Sequence, residues 1–335
     1  MIKIGLIGAG MMGSMHAACY EALTGSANFK VTAVADANLE QAEKLAAKFG
    51  AEAFPSGAEL IEEGDINTVD ICLPTYLHKD AALAAMLKGY HVFIEKPVCM
   101  NKAEAQELLA MQLKMGPQVM IGQCIRFWPE YMELKAYIDD NRYGKLISGV
   151  FTRISPRPDW AWNNWLGDAS KGGLAALDLH IHDVDYVRYI LGLPQYIKSE
   201  ISQSQNHIFS LYKYEGAIIS IEGSWDYPTN FPFEMAFRVK FEQATVTYSS
   251  RQSPTMQVYE ENGLIKEPNL ADELSESEGA SLTIGNITSL GGYYNELNYF
   301  LQSLQNGLPI ANATLEDGCA SLELTLEAMG ASQTR

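Results

Sequence analysis

The run Gly8-Ala9-Gly10-Met11-Met12-Gly13 constrains this chain more than any other stretch. It follows directly on Lys3-Ile4-Gly5-Leu6-Ile7, which reads as a buried strand, and precedes a helical pattern from Ser14 to Leu23. A strand that turns sharply into a helix over a bound dinucleotide needs glycine at three places. One makes the turn, one lets the pyrophosphate approach the backbone, and one lets the helix pack on the strand. Gly8, Gly10 and Gly13 stand at those places. Unpaired N–H groups at the helix start, where Met11 and Met12 lie, and the positive end of its dipole then favour phosphate.

A glycine motif alone is weak, and the following residues strengthen it. Phe29 to Ala35 forms a second apolar strand that ends in Asp36, where an acidic residue would accept hydrogen bonds from both adenosine ribose hydroxyls and repel a 2′-phosphate. No arginine follows in Ala37-Asn38-Leu39, so NAD is favoured over NADP. Asp36 could instead cap a helix, although Asn38 and Gln41 already have the spacing of a capping box. Helices from Leu39 to Phe49 and from Ser56, strands at Thr68–Leu73 and Tyr90–Ile94, a helix opened by Asn101 and Glu104, and a strand at 118–124 continue the alternation of strand and helix. This is a doubly wound, Rossmann-type α/β domain spanning 1–123.

Two loops leave carboxyl ends of strands, the edge on which open α/β sheets bind ligands. One is Pro74-Thr75-Tyr76-Leu77-His78 and the other is Glu95-Lys96-Pro97. A lysine at such an edge can hydrogen-bond a reacting hydroxyl or exchange its proton. Much later, Lys171-Gly172-Gly173 releases an apolar segment that runs to Leu191-Gly192 as a buried helix. At about 3.6 residues per turn, Asp178 and His182 share one side of it. Buried polar groups are unfavourable unless paired, so the two form either a self-satisfied pair or part of a site. His180 stands roughly 200° around the helix from Asp178 and should face away, into packing or solvent.

Together these residues resemble the glucose–fructose oxidoreductase, inositol dehydrogenase and MocA family (Gfo/Idh/MocA). The likeness is carried by the glycine run, Pro74-Thr75 to His78, Glu95-Lys96-Pro97, and Gly172-Gly173 with Asp178 and His182. It continues through Tyr293-Tyr294-Asn295-Glu296-Leu297-Asn298-Tyr299-Phe300 and Leu315-Glu316-Asp317-Gly318. The family often has three glycines where this chain has Lys171-Gly172-Gly173. The resemblance implies a catalytic group of Lys96, Asp178 and His182 beside the nicotinamide. It also implies cofactor contacts from Gly8, Gly10, Met11, Met12, Gly13, Asp36, Pro74, Thr75, His78, Glu95 and Lys96, and homodimers or homotetramers.

From 124 to 335 the pattern changes to α+β: strands at Leu146–Ile154, His207–Tyr214, Ala217–Trp225, Phe233–Phe241 and Ala244–Tyr248 form a large, mostly antiparallel sheet. The helix bearing Asp178 covers one face, and association of subunits would cover the other. Ser275 to Gly279 reads as a solvated acidic loop. Between strand and helix lies Arg157-Pro158-Asp159-Trp160-Ala161-Trp162-Asn163-Asn164-Trp165, whose aromatic faces and polar groups suit a polyol or sugar. Arg157, Trp160, Trp162 and Asn163 are candidate substrate contacts, whereas Trp165 is expected to anchor the loop in the core. Arg126 either contacts substrate or pairs with an acidic neighbour.

The expected function is an NAD-dependent dehydrogenase acting reversibly on a secondary hydroxyl of a cyclic polyol or sugar, giving a ketone or lactone. Two other readings stay open: an NAD-dependent glycosidase that oxidises and re-reduces its substrate around an elimination, and a non-enzymatic NAD(P)-binding regulator. The formal net charge of −17 repels nucleic acid and anionic membrane surfaces. Five cysteines without metal-type spacing suggest reduced thiols and no metal. A cytoplasmic protein is expected, because the glycine-broken N-terminal apolar run lacks an export cleavage site.

Overall fold

The computed structural model describes residues 1–270 and 290–331, so the expected acidic loop at Ser275–Gly279 lies outside the described residues. Contacts divide the described chain into two compact units. The first holds 1–127, 170–172 and 290–322, and the second holds 128–169, 173–270 and 323–331.

The first unit alternates strand and helix: β1 (Ile2–Ile7), α1 (Met11–Ala22), β2 (Phe29–Ala35), α2 (Leu39–Ala47), β3 (Glu52–Phe54), α3 (Gly57–Glu63), β4 (Thr68–Ile71), α4 (His78–Leu87), β5 (His91–Glu95), α5 (Lys102–Met115) and β6 (Val119–Gly122). The strands pair in the order β3-β2-β1-β4-β5-β6, all parallel. Every residue of β4 and β6 is buried, which is why these strands read as unbroken apolar runs. Two helix starts follow their capping signals. Ser56 Oγ accepts the Glu59 N–H at 3.2 Å and Asn101 Oδ1 accepts the Glu104 N–H at 3.1 Å. The Asn38–Gln41 box does not form, because the Asn38 side chain makes no capping bond. Asp36 Oδ1 accepts the Asn38 N–H instead, at 2.8 Å.

The second unit begins with α6 (Pro129–Asp139) and β7 (Leu146–Pro156). A 3-10 turn (Trp162–Gly167), the short α7 (Ala169–Gly172), of which 170–172 group with the first unit, and a π-helical turn (Ala176–His180) lead into α8 (Ile181–Leu191). Then come β8 (Tyr196–Ile201), β9 (His207–Tyr214), β10 (Ala217–Tyr227), β11 (Glu234–Phe241), β12 (Ala244–Ser249), β13 (Met256–Glu260) and β14 (Ile265–Lys266). The eight strands lie in the order β14-β13-β12-β11-β7-β10-β9-β8. All pairings are antiparallel except β7 with β10. The five expected strands are present as β7 and β9 to β12. β8, β13 and β14 were not anticipated, and β14 has only two residues, too few for a pattern.

Beyond 290 the chain adds α9 (Gly291–Gln305) and α10 (Leu315–Ala331). Reading all of 124–335 as the second domain does not match the contacts, which place 290–322 with the first unit. The cause is local packing. Phe300 meets Phe93 of β5 edge-on at 5.5 Å, Asn295 Nδ2 donates to the Phe127 carbonyl at 3.0 Å, and the Ile121 N–H of β6 reaches the Ala313 carbonyl at 2.8 Å. The apolar face of α9 thus completes the core of the nucleotide-type unit.

In the second unit, α8 is bolted to the sheet by a buried ion pair. Arg153 Nε of β7 donates to Asp183 Oδ2 at 3.0 Å, and the Tyr131 hydroxyl donates to Asp183 Oδ1 at 3.4 Å. Breaking a buried pair from one side leaves a charge without its counter-ion. Asp183→Ala should therefore lower the stability of the second unit by about 3–5 kcal/mol. The apolar double replacement, Arg153→Met with Asp183→Leu, should recover most of that loss, as read from urea unfolding midpoints.

Candidate active site

The turn after β1 has little freedom. Gly8 has φ +104°, and a Cβ there would stand 2.4 Å from the Cys72 carbonyl oxygen. A Cβ at Gly13 would stand 1.8 Å from the Gly8 carbonyl oxygen. Both glycines are therefore demanded by close backbone approach. Gly10 differs, because a Cβ there would meet nothing within 4 Å among the described residues, so their packing does not require it. It is the N-cap of α1, whose first turn has neither a side-chain cap nor an acidic residue. The amides of Met11, Met12 and Gly13 are the donors of this turn, and they meet the requirement for a phosphate cradle.

Asp36 stands at the end of β2, where the sequence places it. Its Oδ2 accepts the Ala9 N–H at 2.7 Å and its Oδ1 accepts the Asn38 N–H at 2.8 Å. A carboxylate oxygen can accept more than one hydrogen bond, so both retain capacity toward a ribose diol. Glycine turn, uncapped helix start and fixed carboxylate together fit a dinucleotide with a 2′-hydroxyl.

The next two loops are tied to each other. Pro74 opens a 3-10 turn over Thr75–Leu77, with Thr75 buried. His78 is also buried, with Nε2 at 2.7 Å from the Leu73 carbonyl and Nδ1 at 2.8 Å from the Pro97 carbonyl. Burial lowers the His78 pKa, although both carbonyls favour the protonated ring. Its ring pins the turn after β4 to the turn after β5, with each nitrogen committed to the protein. Lys96 follows β5 and is half-buried. Glu95 is buried, with Oε1 at 3.0 Å from His16 Nε2 and Oε2 accepting the Lys96 N–H at 3.1 Å. Arg126 takes the second of its two expected roles: its guanidinium is buried, with Nη1 2.9 Å from Asp317 Oδ2 and 3.2 Å from Asn312 Oδ1.

In the second unit, Asp178 lies in the π-helical turn and His182 in the first turn of α8. Four residues bracket one full turn in either geometry, so the two remain on one side of the helix. His182 is 7% exposed and Asp178 half-buried. His180 faces the sheet, as expected: Nε2 lies 2.9 Å from Ser210 Oγ, and a Cβ at Gly223 would touch His180 Cβ at 2.8 Å. Burial pulls its pKa down to about 3, so this ring is a neutral packing group.

In the tryptophan loop, Trp165 packs as an anchor, as expected. Trp165 packs on a cluster of Ala161, Leu166, Ala175, Leu179 and Trp225, whereas Trp160 and Trp162 are 45% and 60% exposed. Asn163 and Asn164 both take left-handed backbone angles, a conformation asparagine tolerates, and this turns the loop sharply after Trp162. Arg157 lies against Gly167, where a Cβ would stand 1.7 Å from Nη2.

His16 escaped the sequence reading. Its partners Asp70 and Glu95 lie 54 and 79 residues away, and a lone histidine in an apolar helix gives no hint of them. The available signal was its place one helical turn after Gly13, which aims it at the strands that flank the turn.

A family model described as "Oxidoreductase family, NAD-binding Rossmann fold" matches residues 2–123, and a "GFO/IDH/MocA C-terminal domain" model matches 131–247. Inositol 2-dehydrogenase of Rhizobium meliloti is 31% identical over 191 residues, covering 57% of this chain and 55% of that protein. Levoglucosan dehydrogenase of Pseudarthrobacter phenanthrenivorans is 30% identical over 203 residues, covering 57% and 51%. The matched stretch thus spans about half the length of these relatives. Among solved structures, a levoglucosan dehydrogenase in complex with NADH and levoglucosan superposes with a TM-score of 0.83 at 20% identity, covering 99% of this chain and 97% of that one. An NAD-binding oxidoreductase from Klebsiella pneumoniae gives 0.85 at 22% identity, covering 100% and 97%. The two models fall in family order on a Rossmann unit and a mostly antiparallel sheet unit, and the chain belongs to the Gfo/Idh/MocA family, with NAD as the cofactor of its first domain.

Proposed function

We propose that this protein is an NAD-dependent dehydrogenase that oxidises a secondary hydroxyl of a cyclic polyol or sugar, inositol-like or aldose-like, to a ketone or lactone, reversibly. One observation carries the reading: an acid and an imidazole share one side of a helix whose other histidine is turned into the sheet and held neutral. The family pattern supplies the third member, Lys96 at the end of β5. Relatives named for inositol and levoglucosan support the substrate class.

In this reading, Gly8, Gly10, Met11, Met12 and Gly13 hold the pyrophosphate and Asp36 the adenosine ribose. Pro74 and Thr75 shape the nicotinamide end, His78 and Glu95 give that end its rigidity, and Lys96 contacts it directly. When bound, NAD supplies the hydride acceptor. His182 takes the hydroxyl proton as the carbon gives up its hydride, which balances the two-electron oxidation. Asp178 orients the imidazole, stabilises its protonated form and binds an adjacent hydroxyl. Lys96 donates a hydrogen bond to the reacting oxygen, where negative charge develops. Arg157, Trp160, Trp162 and Asn163 contact the remainder of the substrate.

Copies of the chain would associate through the sheet of the second unit. Along β9, Ile208, Ser210 and Tyr212 are buried while Phe209 and Leu211 on the opposite face are exposed, with Ile218 of β10 and Tyr196 of β8 exposed nearby. No helix among the described residues is long and apolar enough to cross a membrane.

The test is a panel of inositols, aldoses and levoglucosan with NAD, scored by NADH absorbance. With a turned-over substrate, His182→Asn should lower kcat by about 10²–10⁴-fold and leave NAD affinity intact, and Lys96→Met should lower kcat as much with a much smaller loss of NAD affinity; equal losses in kcat and affinity would count against these roles. Asp36→Ala should weaken NADH binding by about tenfold or more, with NADPH affected less, by fluorescence titration. Leu211→Asp should reduce the assembled mass in light scattering, whereas an unchanged mass would place the interface elsewhere.

A further inference from the structure

Beneath the loop that carries Lys96, the first unit buries a chain of charges. His16 of α1 is fully buried. Its Nδ1 lies 2.8 Å from Asp70 Oδ2 on β4, and its Nε2 lies 3.0 Å from Glu95 Oε1 on β5. The Tyr20 hydroxyl, one turn further along α1, donates to the same Asp70 oxygen at 2.8 Å. Phe93 and the imidazole pack in a T-shaped pair with ring centroids 5.4 Å apart, and the Cys72 thiol lies 3.2 Å from Nδ1.

With a carboxylate oxygen at each nitrogen, the ring donates twice and is an imidazolium. Burial opposes that charge, but Asp70 and Cys72 outweigh it and hold the pKa well above its ordinary value. Glu296 of α9 closes the cluster: it is fully buried, neither oxygen has a hydrogen-bond partner among the described residues, and a carboxylate oxygen lies within 4.8 Å of the His16 and Glu95 ligand atoms. Burial and the nearby Glu95 keep it a neutral acid. The charged members are then Asp70, His16 and Glu95, with the cation in the middle.

Glu95 has one oxygen left over from His16, and it accepts the Lys96 N–H at 3.1 Å. Gly122 of β6 leaves room for this arrangement, since a Cβ there would stand 2.9 Å from Glu95 Oε1.

We infer that His16 is a positioning residue for Lys96: it clamps Glu95, and the clamped carboxylate holds the lysine's backbone amide at the point where the chain leaves β5. The inference rests on the reading of Lys96 given above. A four-carbon stem reaches a fixed point in space only as well as its backbone is held, so loosening the amide misplaces the ammonium group. A buried ion pair with a purely structural role would change stability and leave the lysine's work untouched.

The experiment compares His16→Gln with wild type in the full chain, by amide hydrogen exchange at Lys96 and by steady-state kinetics per folded molecule. In the variant the Lys96 amide should exchange about tenfold faster or more, with the rest of β5 unchanged. The kcat should fall about ten- to a hundredfold while KM for NAD stays within about twofold. Glu95→Gln, which keeps an acceptor for the amide, should retain more turnover than Glu95→Ala. If His16→Gln does not fold, Gly122→Ala displaces the same carboxylate with His16 intact, and the same results are expected. Unchanged Lys96 exchange, or unchanged kcat, overturns the inference. Lys96→Met separates the two failures. Full turnover in that variant overturns the catalytic reading of the lysine, whereas an inactive Lys96→Met beside a fully active His16→Gln overturns only the role of His16.

Discussion

The first unit depends on one backbone approach. The turn after β1 passes so near the end of β4 that Gly8 leaves no room for a Cβ beside the Cys72 carbonyl, and Gly13 none beside the Gly8 carbonyl. That contact sets α1 directly over the carboxyl edge of the sheet. It brings the uncapped helix start to where a phosphate can be bound. It also lowers His16, one turn further in, between Asp70 and Glu95. Ligand cradle and interior charge network are therefore two results of one steric constraint.

Much of this was legible in the order of residues. The glycine run, the apolar strands and Asp36 all carry their meaning within a few tens of positions, because a parallel sheet covered on both faces writes itself as unbroken apolar segments. The separation of His180 from Asp178 and His182 followed from helical phase alone, and the sheet contact with Ser210 agrees with it. What stayed hidden depends on long separations or on irregular geometry. Arg126 could not reveal its preference for Asp317, 191 residues away. The π-helical turn at Ala176–His180 has no sequence signature, since its hydrogen-bond register is chosen by packing against the sheet. The allegiance of α9 was misjudged because an apolar helix does not say which core it will complete.

The two units use buried charge in different ways. In the second, Arg153 and Asp183 form a direct ion pair that anchors α8, and Tyr131 occupies the other carboxylate oxygen. In the first, one imidazolium serves two carboxylates, and the third, Glu296, is kept neutral beside them. A lone buried anion would be strongly disfavoured, so protonating Glu296 is the cheaper solution. Each arrangement lies directly behind a loop or helix that carries a proposed site residue: Asp183 next to His182, Glu95 next to Lys96. Rigid charge pairs are a direct way to hold such residues without enlarging the core.

The return of α9 to the first unit also bears on how the chain is made. Its Phe300 packs against Phe93, and the backbone near Ala313 adds to the edge of β6, so the core begun at the first strand is finished by residues near the far end of the sequence. A ribosome releases everything in between first. The nucleotide-type unit must then wait, with the Phe93 side of its sheet uncovered, until α9 emerges. Its maturation is thus linked to the synthesis of α9, and the exposed intermediate is the species that chaperones would encounter.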